Sequence, residues 1–316
     1  MKTRPTYTPA DLVPRELGPF SRATRNADMW RAKQRPGSVD PLPATFDAPT
    51  LTNATAVAAI RRAFLAAKTS HREWRSFKRE GRFDVRQATR AQRGEQDVFR
   101  RKTGRSTTHV KVAVLIDASG SMSNGANIAH PITPGRKVGV SRHLAAALFG
   151  ATIAKALGTI PTVSLDVFQH GSNGQSLYLK YRWAKGTPIS VFNMAATGYD
   201  VSGGGNADGH AVFAIANRML KDMKRDEHGV IMVVSDGLPS YTGRDGSMTA
   251  SNTPGNALVA AVKFARDRGI TVLGVGIDGS DQSTYYGDGF VKFDGSWTTL
   301  GSTLAKSIGA ALAAAA

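Results

Sequence analysis

Two short apolar segments that end in acidic and hydroxyl residues constrain the fold of this chain more than any other feature. Residues 112–116 run directly into Asp117, and residues 230–234 run into Ser235 and Asp236. Short apolar runs bounded by Gly and Asp are typical of buried strands in a parallel sheet. The carboxyl ends of such strands are where open α/β sheets bind ligands. The sequence therefore predicts a doubly wound, mainly parallel α/β sheet flanked by helices, with a polar site at one edge.

Three polar clusters are expected to meet at that edge. Asp117, Ser119 and Ser121 leave the first strand, Asp236 follows the second, and Asp208 follows a Gly-rich turn. Carboxylate and hydroxyl oxygens suit Mg²⁺, with Ca²⁺ or Mn²⁺ as alternatives, and do not suit zinc. Because few carboxylates are present, Mg²⁺ would keep an open position that an acidic group from another protein could fill.

At these residues the chain resembles the von Willebrand factor A domain family, whose metal-ion-dependent adhesion site has the pattern Asp-x-Ser-x-Ser, then Thr, then Asp. The resemblance implies that Asp117 anchors the metal, that Ser119 and Ser121 contact it directly, and that Asp236 holds a bound water or the serines. The family's Thr falls on Asp208 here. Two alternatives stay open: Asp208 replaces the Thr as a ligand, or it caps the following helix.

A longer set of residues is similar to the C-terminal half of the cobaltochelatase CobT subunit, over roughly residues 56 to 312. In that family the domain acts with a ring-forming AAA+ ATPase, and related domains pair with MoxR-type ATPases. The resemblance implies a non-catalytic docking subunit for a CobS-like or MoxR-like ATPase, bound through an acidic residue at the metal. The family's long N-terminal region and acidic linker have no counterpart, so a role in cobalamin biosynthesis is implied less strongly than the ATPase partnership. The similar segments are 76–84, 206–209, 235–239, 254–256 and 285–286.

Charge and composition divide the chain into an irregular basic arm (1–55), a helical basic extension with a linker (56–110) and the metal-binding domain (111–316). Residues 1–110 hold 23 Lys and Arg against 10 Asp and Glu, a net of +13 out of the whole chain's +17. Such a segment attracts nucleic acid, an acidic protein surface or an anionic ATPase ring. The alternative function is therefore a nucleic-acid-associated protein that binds through this extension.

Hydrophobic periodicity gives the expected elements. Trp74 and Trp297 are expected to pack on apolar helical faces, and the loop 123–139 is expected to lie beside the metal site. The predicted helices are 56–74, 84–101 (weaker and basic), 138–157, 209–224, 253–269 and 297–312. The predicted strands are 111–116, 163–168, 176–181, 230–235, 270–277 and 290–293.

Several function classes are not supported by the sequence. It has no Cys, no apolar run of the roughly 20 residues that cross a bilayer, and no secretory signal, so we expect a cytoplasmic protein rather than an exported adhesin. It has no phosphate-binding loop, and Ser119 and Ser121 lack an obvious His base, so catalysis by the chain alone is not expected. His210 could touch the metal shell but is more readily a solvated or capping residue, and His170 is expected in a turn.

Overall fold

The computed structural model describes residues 53–314 except 71–72, 81, 104–108, 131–134, 174–175, 187–204, 225–226, 241–252, 279–280 and 294. The α-helices are α1 (Ala54–Ser70), α2 (Ala88–Gln92), α3 (Arg142–Leu157), α4 (Asp208–Asp222), α5 (Thr253–Arg266), α6 (Ser283–Tyr286) and α7 (Trp297–Ala314). The strands are β1 (Glu73–Lys78), β2 (Arg82–Phe83), β3 (Phe99–Thr103), β4 (His109–Asp117), β5 (Gly125–Ala129), β6 (Lys137–Ser141), β7 (Val163–Asn173), β8 (Ser176–Ala184), β9 (Glu227–Ser235), β10 (Ile270–Ile277) and β11 (Phe290–Phe293). Short 3-10 helices cover Val85–Gln87, Gly120–Ser123 and Gly287–Gly289.

A six-stranded sheet in the order β11-β10-β9-β4-β7-β8 forms the centre of the fold. Five of its strands are parallel, and β8 pairs antiparallel to β7 at one edge. Strands β4 and β9 are neighbours, so Asp117 and Ser235 end adjacent strands. This arrangement confirms the predicted fold class, a doubly wound and mainly parallel α/β sheet flanked by helices.

Each face of the sheet is covered by its own set of helices. Along β4, Val112, Val114 and Ile116 pack into a core with α1, α3 and α7, whereas Ala113 and Leu115 pack into a second core with α4 and α5. The alternation follows from strand geometry, in which successive side chains point to opposite faces. Because both faces are buried, β4 reads as a continuous apolar run, as the sequence predicted.

Helix α1 shares the first of these cores. Its residues Ala56, Ile60 and Phe64 recur every four positions and are fully buried. The contact with α7 is close, since a Cβ added at Gly301 would lie 3.0 Å from the Cα of Ala56. The boundary that we place at residue 110 stays a prediction about domains, but α1 itself packs against the sheet domain.

Shortening a buried α1 side chain tests this packing. Ile60→Val is expected to lower the free energy of unfolding by about 1 kcal/mol, because it deletes one methylene from a close-packed core. Leu65→Val on the same helix is the matched control, since Leu65 is 40% exposed, and we expect a change within about 0.5 kcal/mol. Chemical denaturation of both variants measures the difference, and equal midpoints would contradict the packing of α1 described above.

The predicted helices at 56–74 and 84–101 are only partly correct. The first ends at Ser70, and Trp74 lies in strand β1 rather than on a helix. In the second, α2 covers only residues 88–92 and the chain then enters β3. Gly94, with φ +80°, follows the end of α2 in a conformation that suits glycine. The antiparallel sheet β1-β3-β2 depends on pairing between distant segments, which helical periodicity does not reveal.

The predicted loop 123–139 contains an antiparallel hairpin, β5 and β6. The hairpin is tied to the start of α7, because the indole of Trp297 donates to the carbonyl of Ala129 at 2.9 Å. Trp297 is buried, as predicted for a packing residue. The helix that we predict from 138 begins at Arg142, where the Ser141 hydroxyl caps it by accepting from the Leu144 amide at 3.2 Å. In the part of the chain that the structure describes, no helix combines the length and the apolar character that crossing a membrane requires.

Candidate metal and docking site

Asp117 is the central carboxylate of the candidate site. It ends β4 and is fully buried. Its Oδ1 accepts from the Ser119 amide at 2.8 Å, and its Oδ2 accepts from the Ser119 hydroxyl at 3.0 Å and from the Ser235 hydroxyl at 2.8 Å. The turn after β4 therefore folds back onto the carboxylate, and the neighbouring strand β9 supplies a third donor.

A chain of hydrogen bonds runs from Asp117 to Asp236. The hydroxyl oxygens of Ser119 and Ser121 are 3.1 Å apart, and the Ser121 hydroxyl donates to Oδ1 of Asp236 at 2.7 Å. Asp236 and Ser119 are buried, whereas Ser121 is exposed. The structure therefore brings together four of the five predicted ligands in one chain of contacts, with Ser121 at its solvent-facing end.

The fifth predicted ligand, Asp208, joins the cluster through Asn206. The Asn206 amide nitrogen donates to Oδ2 of Asp208 at 3.0 Å and to the Ser235 hydroxyl at 2.8 Å. Asp208 is fully buried and is the first residue of α4, whose cap residue is Ala207. The Asp208 side chain therefore does not cap the helix, and its role as a metal ligand stays a prediction.

Arg142 places a positive charge beside the cluster. Its guanidinium donates to Oδ2 of Asp236 at 2.6 Å and lies 3.7 Å from the carboxylate of Asp278. Since Asp236 shares its other oxygen with Ser121, the arginine and the serine hold this carboxylate from two sides. Sequence reasoning missed Arg142, because its position depends on how the hairpin after residue 124 returns the chain to the start of α3.

Burial sets the electrostatics of the two inner carboxyl groups. Burial raises the pKa of Asp117 to about 7, with repulsion from Asp236 adding to the shift. Burial, and then repulsion from Asp117, raises the pKa of Asp208 well above its usual value. Such shifts are expected where buried carboxyl groups lie close together. A bound divalent cation would supply that compensation.

Two histidines lie near Asp208. His170 was predicted in a turn, which is wrong: strand β7 continues to Asn173 and buries the ring completely. Its Nε2 is 3.2 Å from Oδ1 of Asp208, and burial lowers the pKa of His170 to about 3, so the ring is neutral. His210 is also buried rather than solvated, and burial lowers its pKa to about 4.

The oxygen atoms present fit a hard divalent cation. Two neighbouring ligands of an octahedral Mg²⁺ lie about 2.9 Å apart, and the hydroxyls of Ser119 and Ser121 are separated by 3.1 Å. Oδ1 of Asp208 is buried and accepts no hydrogen bond among the described residues. Within those residues no group of three or more His, Cys, Asp or Glu side chains is placed to hold a metal. Any cation here would depend on serine hydroxyls, water and an outside ligand, which suits Mg²⁺ better than zinc.

Close packing supports the turn that carries Asp208. A Cβ added at Gly209 would lie 2.7 Å from the backbone nitrogen of Leu258, so this glycine lets α4 approach α5. Beside Asp236, the buried Gln282 side chain donates to the carbonyl of Gly237 at 2.7 Å. Gln282 was not predicted, and Ser235 belonged to a predicted motif without a role of its own. Both hold the turns in place through contacts that sequence spacing cannot show.

The comparisons with known proteins found similar solved structures only. No protein-family model matches the chain, and no curated protein matches it. One similar structure is the pilus adhesin SpaC from Lactobacillus rhamnosus GG in its open conformation, at 15% identity and a TM-score of 0.43, covering 65% of this chain and 30% of SpaC. A second is the manganese-loaded TRAP protein of Plasmodium vivax, at 14% identity and a TM-score of 0.38, covering 60% of this chain and 70% of that one.

A third is a von Willebrand factor type A structure from Catenulispora acidiphila, at 17% identity and a TM-score of 0.37, covering 67% of this chain and 44% of that one. The chain thus spans less than a third of the length of SpaC and under half of the C. acidiphila protein. These values describe a similarity in fold, and the chemistry of the site is inferred below from its own geometry.

Proposed function

We propose that this protein is a non-catalytic docking subunit that binds an acidic group of a partner through a divalent cation. The expected cation is Mg²⁺. Asp117 would anchor the cation, Ser119 and Ser121 would contribute hydroxyl oxygens, and Asp236 would orient Ser121. The hydrogen-bond chain from buried Asp117 to exposed Ser121 carries this proposal, because it links an anionic anchor to a surface where another molecule can reach.

The small negative charge at the site favours docking of a partner over tight metal storage. Arg142 already partly neutralises Asp236, and both serines are neutral ligands. A cation at such a site keeps Lewis acidity for one more oxygen ligand, and a carboxylate from a partner would complete its shell. The hydroxyls of Ser119 and Ser121 are bonded to each other and to the carboxylates of Asp117 and Asp236, an arrangement that suits ligands of one cation.

The partner that we propose is a CobS-like or MoxR-like AAA+ ATPase, as the resemblance to the CobT subunit implies. Leu238, which is 50% exposed and two residues after Asp236, offers an apolar contact beside the cation. A partner segment with a carboxylate next to an apolar side chain would match this surface. The proposed complex is either a chelatase or a MoxR-type remodelling complex, since both kinds of complex include such a docking subunit.

Replacing the exposed serine tests the cation contact. Ser121→Ala is expected to weaken Mg²⁺ and Mn²⁺ binding at least about tenfold, because it deletes one proposed ligand and the donor that orients Asp236. Ser123→Ala is the matched control: its exposed hydroxyl donates only to the carbonyl of Gly120. Isothermal titration calorimetry with each cation measures both variants.

Three outcomes are informative for the proposal. Weaker binding in Ser121→Ala with unchanged binding in Ser123→Ala supports the assigned ligands. Equal binding in both variants would place the cation elsewhere. No measurable binding of either cation to the unaltered protein would remove the metal from the proposed function.

A further inference from the structure

The β1-β3-β2 sheet with its connections, residues 73–103, carries an excess of positive charge. We call it the small basic sheet; it holds ten Lys and Arg against five Asp and Glu. Three of the acidic residues are already engaged. Asp84 is buried and accepts from the Arg86 amide, and Glu95 and Asp97 both pair with Arg90.

Four of the eight arginines in this segment are exposed to solvent and can meet an external anion. Arg79, Arg82, Arg86 and Arg93 are exposed, and none has an ion pair among the residues that the structure describes. Their charges extend from the turn after β1 to the end of α2. Among the described residues no ion pair neutralises these four charges, and a ligand with several negative charges would complement them.

Exposed aromatic side chains accompany the arginines. Phe77 is 53% exposed and Phe83 is 41% exposed. The Phe83 ring is held edge-on against Phe99, its register partner, at 6.2 Å between centroids. Phe77 has φ +60°, a strained conformation for a non-glycine residue, and its ring faces the guanidinium of Arg90 at 5.0 Å. Strained residues of this kind are concentrated at functional sites.

We propose that the small basic sheet binds single-stranded nucleic acid. The exposed arginines would contact phosphates, and Phe77 and Phe83 would stack on unpaired bases, which is the combination that single-strand binders use. A duplex keeps its bases stacked and offers no face to these rings. An acidic protein surface would engage the arginines but gives no reason for the exposed rings. The surface does not include the candidate metal site, so this binding is independent of the cation.

The first test neutralises three exposed arginines. Fluorescence anisotropy would measure binding of the full chain, in EDTA, to labelled DNA and RNA single strands of about 16 nucleotides and to the matching duplex. Arg79→Gln/Arg82→Gln/Arg86→Gln is expected to weaken single-strand binding at least about tenfold and to lower the salt slope by about 2. The matched control is Arg136→Gln/Lys155→Gln/Lys306→Gln, which removes the same charge from exposed positions elsewhere and should change affinity less than about threefold.

The second test separates stacking from charge. Phe77→Leu/Phe83→Leu keeps an apolar side chain at both positions and is expected to weaken single-strand binding about tenfold without changing the salt slope. Circular dichroism melting of the same variant checks that the fold is retained.

The proposal is supported if the unaltered protein binds single strands of DNA or RNA and both the arginine and the phenylalanine variants bind them more weakly, as described above. The ratio of the DNA and RNA affinities shows which sugar is preferred. The proposal is overturned if the arginine variant and its charge control bind equally. It is also overturned if the duplex binds as tightly as the single strand, or if polyglutamate competes as well as an oligonucleotide of equal charge, which would assign the surface to an acidic protein.

Discussion

Asp117→Asn is expected to weaken Mg²⁺ binding at least about 100-fold while leaving the folded structure intact. The substitution removes a fully buried carboxylate that is bonded to both Ser119 and Ser235. It keeps the shape of the side chain. The Asn oxygen can still accept from the Ser119 amide, and the Asn nitrogen can donate to the hydroxyl oxygens that now donate to Oδ2.

The measurement is calorimetric titration of Mg²⁺ and Mn²⁺ into both proteins, with Ser123→Ala as the control for a hydroxyl outside the network. A melting temperature no lower than that of the parent shows that the loss is local. If Asp117→Asn binds the cations as tightly as the parent, the anchor of the site is not Asp117. If the parent binds an acidic peptide only in the presence of the cation, and the variant does not, the docking proposal gains direct support.

A residue of the site could be predicted from the sequence when it directly follows a recognisable strand, and could not when its position depends on the tertiary fold. Asp117, Ser119, Ser121 and Asp236 come directly after two apolar runs, so strand geometry alone predicts that they meet at one edge of the sheet. Their proximity is what the structure shows. Arg142 could not be predicted in the same way, because it reaches Asp236 only after the β5-β6 hairpin has folded back.

The fold was predictable to a similar extent. The parallel strands are apolar on both faces, and their order along the chain alternates with amphipathic helices, so local patterns are sufficient to identify them. The small basic sheet is different, because its strands are short and charged, and β3 pairs with both β1 and β2. In β3, residues 99–103 read Phe-Arg-Arg-Lys-Thr, which has no alternation between apolar and polar positions.

The partly buried Asp/Ser network also has a consequence for stability. Burial raises the pKa of Asp117 from 3.8 to about 7. Between these values the folded protein holds a proton on Asp117 that the unfolded chain has lost, so the folded state binds more protons. Stability is therefore highest at the acidic end of this window and falls as the pH rises through it, by no more than about 4 kcal/mol. Asp208, whose pKa is raised by the same causes, adds to the trend.

The pH dependence of unfolding in EDTA should consequently differ between the parent and Asp117→Asn, because Asn carries no charge at any pH and resembles the protonated acid. At about pH 5 the variant should already be the more stable, by no more than about 1.6 kcal/mol, and at about pH 8 the difference should rise to as much as about 4 kcal/mol. Urea denaturation at both pH values measures this, and parallel curves would show that Asp117 ionises in the folded protein at its ordinary pKa. Adding Mg²⁺ at about 100 times its dissociation constant should restore about 2.7 kcal/mol to the parent at the higher pH. The variant should gain less than about 0.5 kcal/mol. The ionised carboxylate that destabilises the free protein is the group that holds the cation.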